Sequence, residues 1–327
     1  LPLAVLFRAP KQRRFTMQTR REFLSAALLA TLAAPHVFSA ARYRVGITTN
    51  TRGGWENDVW LSFREAREVG YRHVESFIHY FKDFYDDKAD QLRHKMDEIG
   101  VRFVTISNGS PMEMHFEDPA KHDRVIADHV RLIRFIKKLG CQHLKINMGP
   151  RRPTGTTDED LKQMARALAE IGRRSVEEGI KFAVHAHMWS QLENRREIDY
   201  VMEHTSAQHV YFVLDTGHIT LAGIDPVELT RRLGHRIVEF HLKDTKPEHR
   251  GGAQGRLERP DVMKDPPFFP LGHGGVDFPA LKAHLDKIGW QGWLTVELDS
   301  SPWRLPKESA RRSREYLEKT LGLTVSA

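Results

Sequence analysis

Four stretches of this 327-residue chain end an apolar run on side chains that bind metals or move protons. They read Leu214-Asp215-Thr216-Gly217-His218, Phe240-His241-Leu242-Lys243-Asp244, Thr295-Val296-Glu297-Leu298-Asp299 and His185-Ala186-His187-Met188-Trp189-Ser190-Gln191-Leu192-Glu193. Carboxylate, imidazole and carboxylate delivered from successive segments make an oxygen-rich centre with one nitrogen. The single cysteine, Cys141, lies elsewhere, so no sulfur joins them. Such donors suit one divalent ion, Mn, Mg, Co or Zn, rather than Cu(I) or an iron-sulfur cluster. The chemistry this favours is removal of a proton from carbon next to a carbonyl. A metal on the carbonyl and hydroxyl oxygens stabilises the enediolate, and a carboxylate on each side of the substrate takes and returns the proton.

For these residues to meet, the elements carrying them must converge at one end. From Tyr43 onward one cadence repeats: a short β-branched or apolar run, a polar loop, an amphipathic helix, then a glycine, as at Gly70, Gly100, Gly140, Gly179, Gly234 and Gly289. Glycine ends helices because it alone adopts the left-handed conformation cheaply. Strands are expected at 43–48, 73–77, 102–107, 143–148, 181–185, 210–214, 237–241 and 293–297. Helices are expected near 57–69, 86–99, 119–139, 157–178, 193–204, 225–233, 277–288 and 306–320. Eight alternating units demand parallel strands with right-handed crossovers, and they fit a single closed (β/α)8 TIM barrel over 42–327. No Gly-x-Gly-x-x-Gly follows the first strand, which weakens a dinucleotide-binding sheet.

In such a barrel the C-terminal strand ends share one mouth. His185 and His187 are read as facing opposite sides of the strand, with His187 taken as the mouth residue and His185 as structural. His218 and Lys243 are candidates for holding substrate oxygens, and Trp189 for stacking on a sugar face. Glu75, His79, Lys145 and Asn147 also point to the mouth. Plainer roles stand beside these: Asp215 as a helix cap, Glu193 as a first-turn helix acid, and Glu297 in a buried salt bridge with Lys243. The long connection 245–276 is expected to be a lid in which Phe268 and Phe269 cover the substrate.

Over 43–322 the chain resembles the xylose-isomerase-like barrels of the sugar phosphate isomerase/epimerase superfamily. The resemblance rests on Asp-Thr-Gly-His at 215–218, His-x-Lys-Asp at 241–244, Val-Glu-x-Asp at 296–299 and the 270–278 loop, where His273 replaces the usual acid. His185-x-His187, Glu193 and Glu197-Ile198-Asp199 are similar to its inosose dehydratase branch. The resemblance implies one divalent metal on Glu193, Asp215, His241 and Glu297, with Glu193 and Glu297 also serving as acid and base. It implies a metal-dependent isomerase or epimerase of a small sugar or keto-sugar. A lyase, dehydrating or β-eliminating a keto-sugar, keto-glycoside or inosose, is the first alternative, and a non-catalytic exported sugar-binding protein the second. A homo-oligomer, with a neighbouring subunit closing the mouth, stays open.

The front of the chain reads as an address. Thr19-Arg20-Arg21-Glu22-Phe23-Leu24, an apolar stretch to Ala34 and Ser39-Ala40-Ala41 have the parts of a twin-arginine signal peptide, with 1–16 as upstream sequence before Met17. The expected partner is the twin-arginine export machinery and the expected location periplasmic or secreted. An apolar stretch this short argues against a stable membrane anchor. Of the formal charge of +7, six basic residues against one acid fall within 1–41, leaving about +2 for the barrel. That balance argues against nucleic acid as a partner. An endonuclease on the same barrel would also need several zinc ions, and the third strand ends Ile106-Ser107-Asn108 without a histidine.

Overall fold

The computed structural model describes residues 42–251 and 257–325; the export signal expected within 1–41 lies outside them. Eight parallel strands alternate with helices: β1 (Tyr43–Thr48), α1 (Val59–Val69), β2 (His73–Phe77), α2 (Ala89–Ile99), β3 (Arg102–Ser107), α3 (His122–Lys138), β4 (His143–Asn147), α4 (Asp158–Glu177) and β5 (Lys181–His185). Then follow α5 (Arg195–Glu203), β6 (Val210–Asp215), α6 (Thr216–Leu221), α7 (Pro226–Leu233), β7 (Ile237–Leu242), α8 (Phe278–Ile288), β8 (Gly292–Val296) and α9 (Pro306–Lys319). Every expected strand is present to within a residue at either end. The short helix α6 was not expected; six residues are too few to display a helical period.

The ladder runs β3-β2-β1-β8-β7-β6-β5-β4. Between its two ends, a side chain does the work of a ladder. Asn108, just past β3, accepts from the Asn147 backbone N–H (2.8 Å) and donates to the Asn147 carbonyl (2.9 Å). The result is a nearly closed TIM barrel.

Between strands and helices the packing is apolar, with Phe182, Phe212, Phe240, Leu144 and Ile146 fully buried. Inside the barrel it is polar: Glu75, His143, Lys145, Glu239, His241 and Thr295 are all buried there. Branched apolar side chains usually fill that space, so the ionisable layers need an explanation. A β-carbon on Gly46 would lie 2.6 Å from Val104 Cγ2. Glycine there leaves the inner layer its room.

The described residues of the long connection after β7 are tied into the fold. Asp244–Thr245 pairs antiparallel with Phe268–Phe269. The Asp244 carboxylate accepts from the N–H groups of Thr245, Gly274 and Val276, tying both ends together. The two phenylalanines face opposite sides, as neighbours on a strand do. Phe268 is buried with Lys243 Nζ over its ring (4.7 Å), whereas Phe269 stacks between His273 and Trp303. Of the pair expected to cover the substrate, only Phe268 bears on the mouth residues.

Candidate metal centre

His185 closes β5, Asp215 closes β6, His241 lies on β7 and Glu297 follows β8. One ligand atom from each falls within 4.8 Å of the others, and all four residues are buried. A single ion with bonds of about 2.1 Å spans such a ring. The expectation placed Glu193 in this ring; the structure brings His185 there together with Asp215, His241 and Glu297.

The hydrogen bonds fix which atom each residue offers. His185 Nδ1 bonds Asn147 Oδ1 (2.9 Å), which requires the proton on Nδ1 and leaves the Nε2 lone pair bare. Asp215 Oδ1 caps α6 by accepting from the His218 N–H (2.9 Å), leaving Oδ2. His241 Nε2 is bonded to Glu75 Oε2 (3.0 Å), leaving Nδ1, and Glu297 turns Oε2 toward that Nδ1. His185 Nε2, Asp215 Oδ2, His241 Nδ1 and Glu297 Oε2 are all buried and, beyond one another, meet only the Lys243 ammonium, 3.1 Å from Asp215 Oδ2 and 3.5 Å from Glu297 Oε2. Buried polar atoms short of partners are rare and costly. Four converging on one point fit a cation. The partners on the far side of each ring nitrogen are the supports that metal-bound histidines require.

The electrostatics agree. Burial pushes the Asp215 carboxyl up to about 7, with Lys243 opposing and Glu297 adding to the rise. Burial works against charge on His241, yet Glu297 and Glu75 outweigh it and raise its pKa well above the usual value. Burial, then Lys145, hold His185 well below its usual value, so it is a neutral donor. Against burial, His241 and Lys243 in turn hold the Glu297 carboxyl well below its usual value.

Glu193 is engaged elsewhere. Its Oε2 accepts from Arg151 Nη2 (2.6 Å), Arg151 Nε (2.9 Å) and the Trp189 backbone N–H (2.7 Å). Arg151 also donates to the Leu257 carbonyl (2.7 Å), as does Trp189 Nε1 (3.2 Å). Trp189 has φ of 66°, a left-handed conformation uncommon outside glycine. Glu193, Arg151 and Trp189 together clasp the long connection to the mouth.

Lys243 is wholly buried above the ring, with Nζ 2.7 Å from Asp299 Oδ1, 2.9 Å from His218 Nε2 and 3.1 Å from Asp215 Oδ2. A β-carbon on Gly217 would lie 2.8 Å from its Cγ, so glycine at that position lets the lysine pass. His187, His218 and Asp299 form a second group of possible donors. The Lys243 ammonium, bonded to two of the three, already supplies its cation. The His187 and His218 rings lie close and tilted, 3.6 Å between centroids and 37° between planes. His187 Nδ1 bonds the Met188 carbonyl (2.6 Å), leaving Nε2 free. Burial, opposed by Asp299 and reinforced by Lys243, lowers its pKa to about 4, so the ring is neutral.

Beside the ring opens a cavity of about 270 Å³, lined among others by Lys145, Asn147, His187, Trp189, Glu297 and Asp299. Its size is at the small end for ligand sites, enough for one sugar ring. Sequence reasoning missed His185, Arg151 and two arginines of the rim, Arg52 and Arg259. Register held the signal for His185, because it pairs with Asn147, already expected at the mouth.

Comparison with known proteins was made on this footing. The rhizopine catabolism protein MocC of Rhizobium meliloti is 29% identical over 250 residues, covering 73% of this chain and 74% of its own. Inosose dehydratase of Glaesserella parasuis serovar 5 is 27% identical over 286 residues, 83% of this chain and 92% of its own. That of Clostridium tetani is 32% identical over 164 residues, 50% of this chain and 55% of its own. The chain thus spans little more than half the length of several inosose dehydratases it matches. Among solved structures, D-psicose 3-epimerase of Clostridium cellulolyticum H10 superposes with a TM-score of 0.65 at 16% identity, over 85% of this chain and 98% of that one. The IolI protein, solved with a bound zinc, gives 0.63 at 18%, over 86% and 98%. At that identity the likeness shows the fold. The model of the xylose isomerase-like TIM barrel matches residues 63–320, and the chain belongs to that family.

Proposed function

We propose that the chain is a metal-dependent lyase that takes a proton from the carbon next to a carbonyl of a sugar or keto-polyol and expels a hydroxyl or alkoxide from the β carbon. The observation that carries metal dependence is the set of four buried donor atoms converging on one point beside a sugar-sized cavity. A divalent ion on His185, Asp215, His241 and Glu297 would supply Lewis acidity for the carbonyl oxygen. Two imidazoles among four donors favour Zn, Mn or Co over Mg.

The elimination reading rests on the groups that face the cavity. Glu193, the second glutamate expected to shuttle protons, is held by Arg151. His187 is neutral and presents a bare Nε2. It accepts the proton as the C–H bond breaks, the electron pair passing to the carbonyl. The resulting imidazolium, strongly acidic because it is buried, then protonates the departing oxygen as the C–O bond breaks. The dehydratase relatives support the same outcome. Isomerisation or epimerisation is the second reading, favoured by Glu297 and Asp299, two carboxylates that both line the cavity. Incubation of metal-loaded protein with keto-sugars and inososes in heavy water separates them. An ultraviolet-absorbing enone, lost in His187→Gln, supports elimination; solvent deuterium in a recovered or isomeric sugar, with no loss of water, overturns it in favour of isomerisation.

Export is proposed on the Arg20-Arg21 signal. Replacing both by Lys should hold the precursor in the cytoplasm, because the export receptor reads the guanidinium pair. Unchanged export of that variant would remove the proposal.

A further inference from the structure

The cavity has an uneven charge lining. At its inner end the charged groups are engaged: Lys145 with Glu75 (3.1 Å), and Glu297 with His241 and Lys243. Asp299 is held by Lys243 (2.7 Å). At the outer end stand Arg52, just past β1, and Arg259, on the long connection; both are exposed and both line the cavity. Among the described residues neither guanidinium has a hydrogen bond or an ion pair.

Their backbones are held against one strip of chain. Arg52 forms a bridge to Ser300, donating to the Asp299 carbonyl (2.9 Å) and accepting from the Ser301 N–H (2.8 Å). Ser300 Oγ donates to the Val262 carbonyl (2.7 Å), three residues beyond Arg259. Segments far apart in sequence thus bring two uncompensated cations to the same side of one small cavity. Arginine's planar fork matches carboxylate and phosphate oxygens, and paired charges over a low-dielectric cleft concentrate anions.

We propose that the substrate carries an anionic group, which Arg52 and Arg259 grip at the rim while the reacting carbonyl end lies inward near Glu297 and His187. The site thereby selects an acidic sugar over its neutral counterpart. This inference deepens the sugar-site reading and rests on it for the orientation of the ligand, whereas the anion preference itself is a separate property of the rim. A carboxylate and a phosphate ester offer the same oxygen chemistry to a guanidinium, so the test includes both.

Calorimetric titration of the purified protein with D-glucose, D-glucuronate, D-galacturonate and D-glucose 6-phosphate decides it. The acids should bind about tenfold or more tightly than glucose, and high salt should weaken only the acids. The double variant Arg52→Gln/Arg259→Gln should lose that margin with glucose affinity unchanged. A larger margin for the 6-phosphate than for the uronates would name a phosphate ester as the source of the charge, and the reverse a carboxylate. Acids that bind no tighter than glucose, or not at all, overturn the proposal and leave two solvated surface arginines; so does a double variant that weakens glucose equally. Failure of the reaction reading shows differently: anion preference would persist in a protein that neither eliminates nor exchanges protons with any sugar.

Discussion

Two polar clusters lie within the barrel, and they differ in whether they complete themselves. In the lower one, Glu239 takes a bond from His143 Nε2 (2.6 Å) and another from Thr295 Oγ1. Nearby, Glu75 meets Ser107 Oγ (3.2 Å), Lys145 Nζ (3.1 Å) and His241 Nε2 (3.0 Å). Every carboxylate oxygen there has a partner. One layer up, four donor atoms turn toward one another, and a single ammonium, Lys243 Nζ, reaches only the two carboxylates among them. Burial is equal in the two, so burial alone does not mark a functional site. The lower layer is a closed network that secures the barrel, and the upper gathers donor atoms of the kind that hold a cation.

The sharpest way to break this contrast is to remove one ligand. Asp215→Asn keeps the α6 cap but loses the carboxylate charge, and His241→Ala removes a nitrogen. Each should abolish stoichiometric metal and lower activity by about 10³ or more, given the several kcal/mol that a Lewis acid supplies. In chelator-treated protein the melting temperature of Asp215→Asn should match wild type, and only wild type should gain from added metal. Elemental analysis and thermal melts check this; a variant that keeps one ion per chain would mean that the ring is not the metal site.

The converse variant is Glu239→Ala, which leaves His143 and Thr295 unsatisfied in the core. Breaking a buried pair costs about 3–5 kcal/mol. Urea unfolding should show that loss with and without metal, while the folded fraction still binds its ion. A metal-dependent loss would join the two layers into one functional unit.

Another buried histidine tests the seam between β3 and β4. His129 Nδ1 bonds the Val125 carbonyl (2.7 Å), and its Nε2 accepts from Asn108, the residue that bridges the two strands. Burial lowers its pKa from 6.5 to about 4, with the Val125 bond and Asp128 opposing. The neutral ring is therefore favoured in the folded state. Its contribution is complete above pH 6.5 and is lost as pH falls toward 4, where the unfolded chain takes up a proton that the folded one refuses. The full loss is roughly 3 kcal/mol. Urea midpoints measured from pH 7 to 4 should fall in wild type and fall less in His129→Gln; parallel slopes would sink this account.

The strand ends were readable because a barrel sends them all to one place. Asp215, His241 and Glu297 needed only a strand boundary and a parity. His185 was misread because residues two apart on a strand share a face, so parity gave no ground for parting it from His187. Past the end of β5 the chain turns, with the His187 N–H bonded to the Leu192 carbonyl, and both rings reach the mouth side, 5.6 Å between centroids. The capture of Glu193 was not legible at all. Arg151 lies 42 positions away, on a loop after β4, and nothing in composition or period predicts that clasp. Local pattern reveals what an element offers, and only tertiary geometry reveals which offer is taken.

The smallest expected effect separates the two versions of the ligand set. Glu193→Gln retains an acceptor for the Trp189 N–H but surrenders the ion pair to Arg151, which still holds the Leu257 carbonyl. Because His185 fills the ring, metal content should stay at one ion per chain. The loss falls on the clasp. A partly buried pair is worth about 1 kcal/mol, so kcat/KM should drop about tenfold at most, and proteolysis near 257–262 should quicken. Arg151→Ala should do the same, since it cuts the same clasp from the other side. If Glu193→Gln instead loses its metal while Arg151→Ala keeps it, the glutamate is a ligand after all, released by Arg151 when the ion arrives. The long connection would then be gated by metal loading rather than merely pinned.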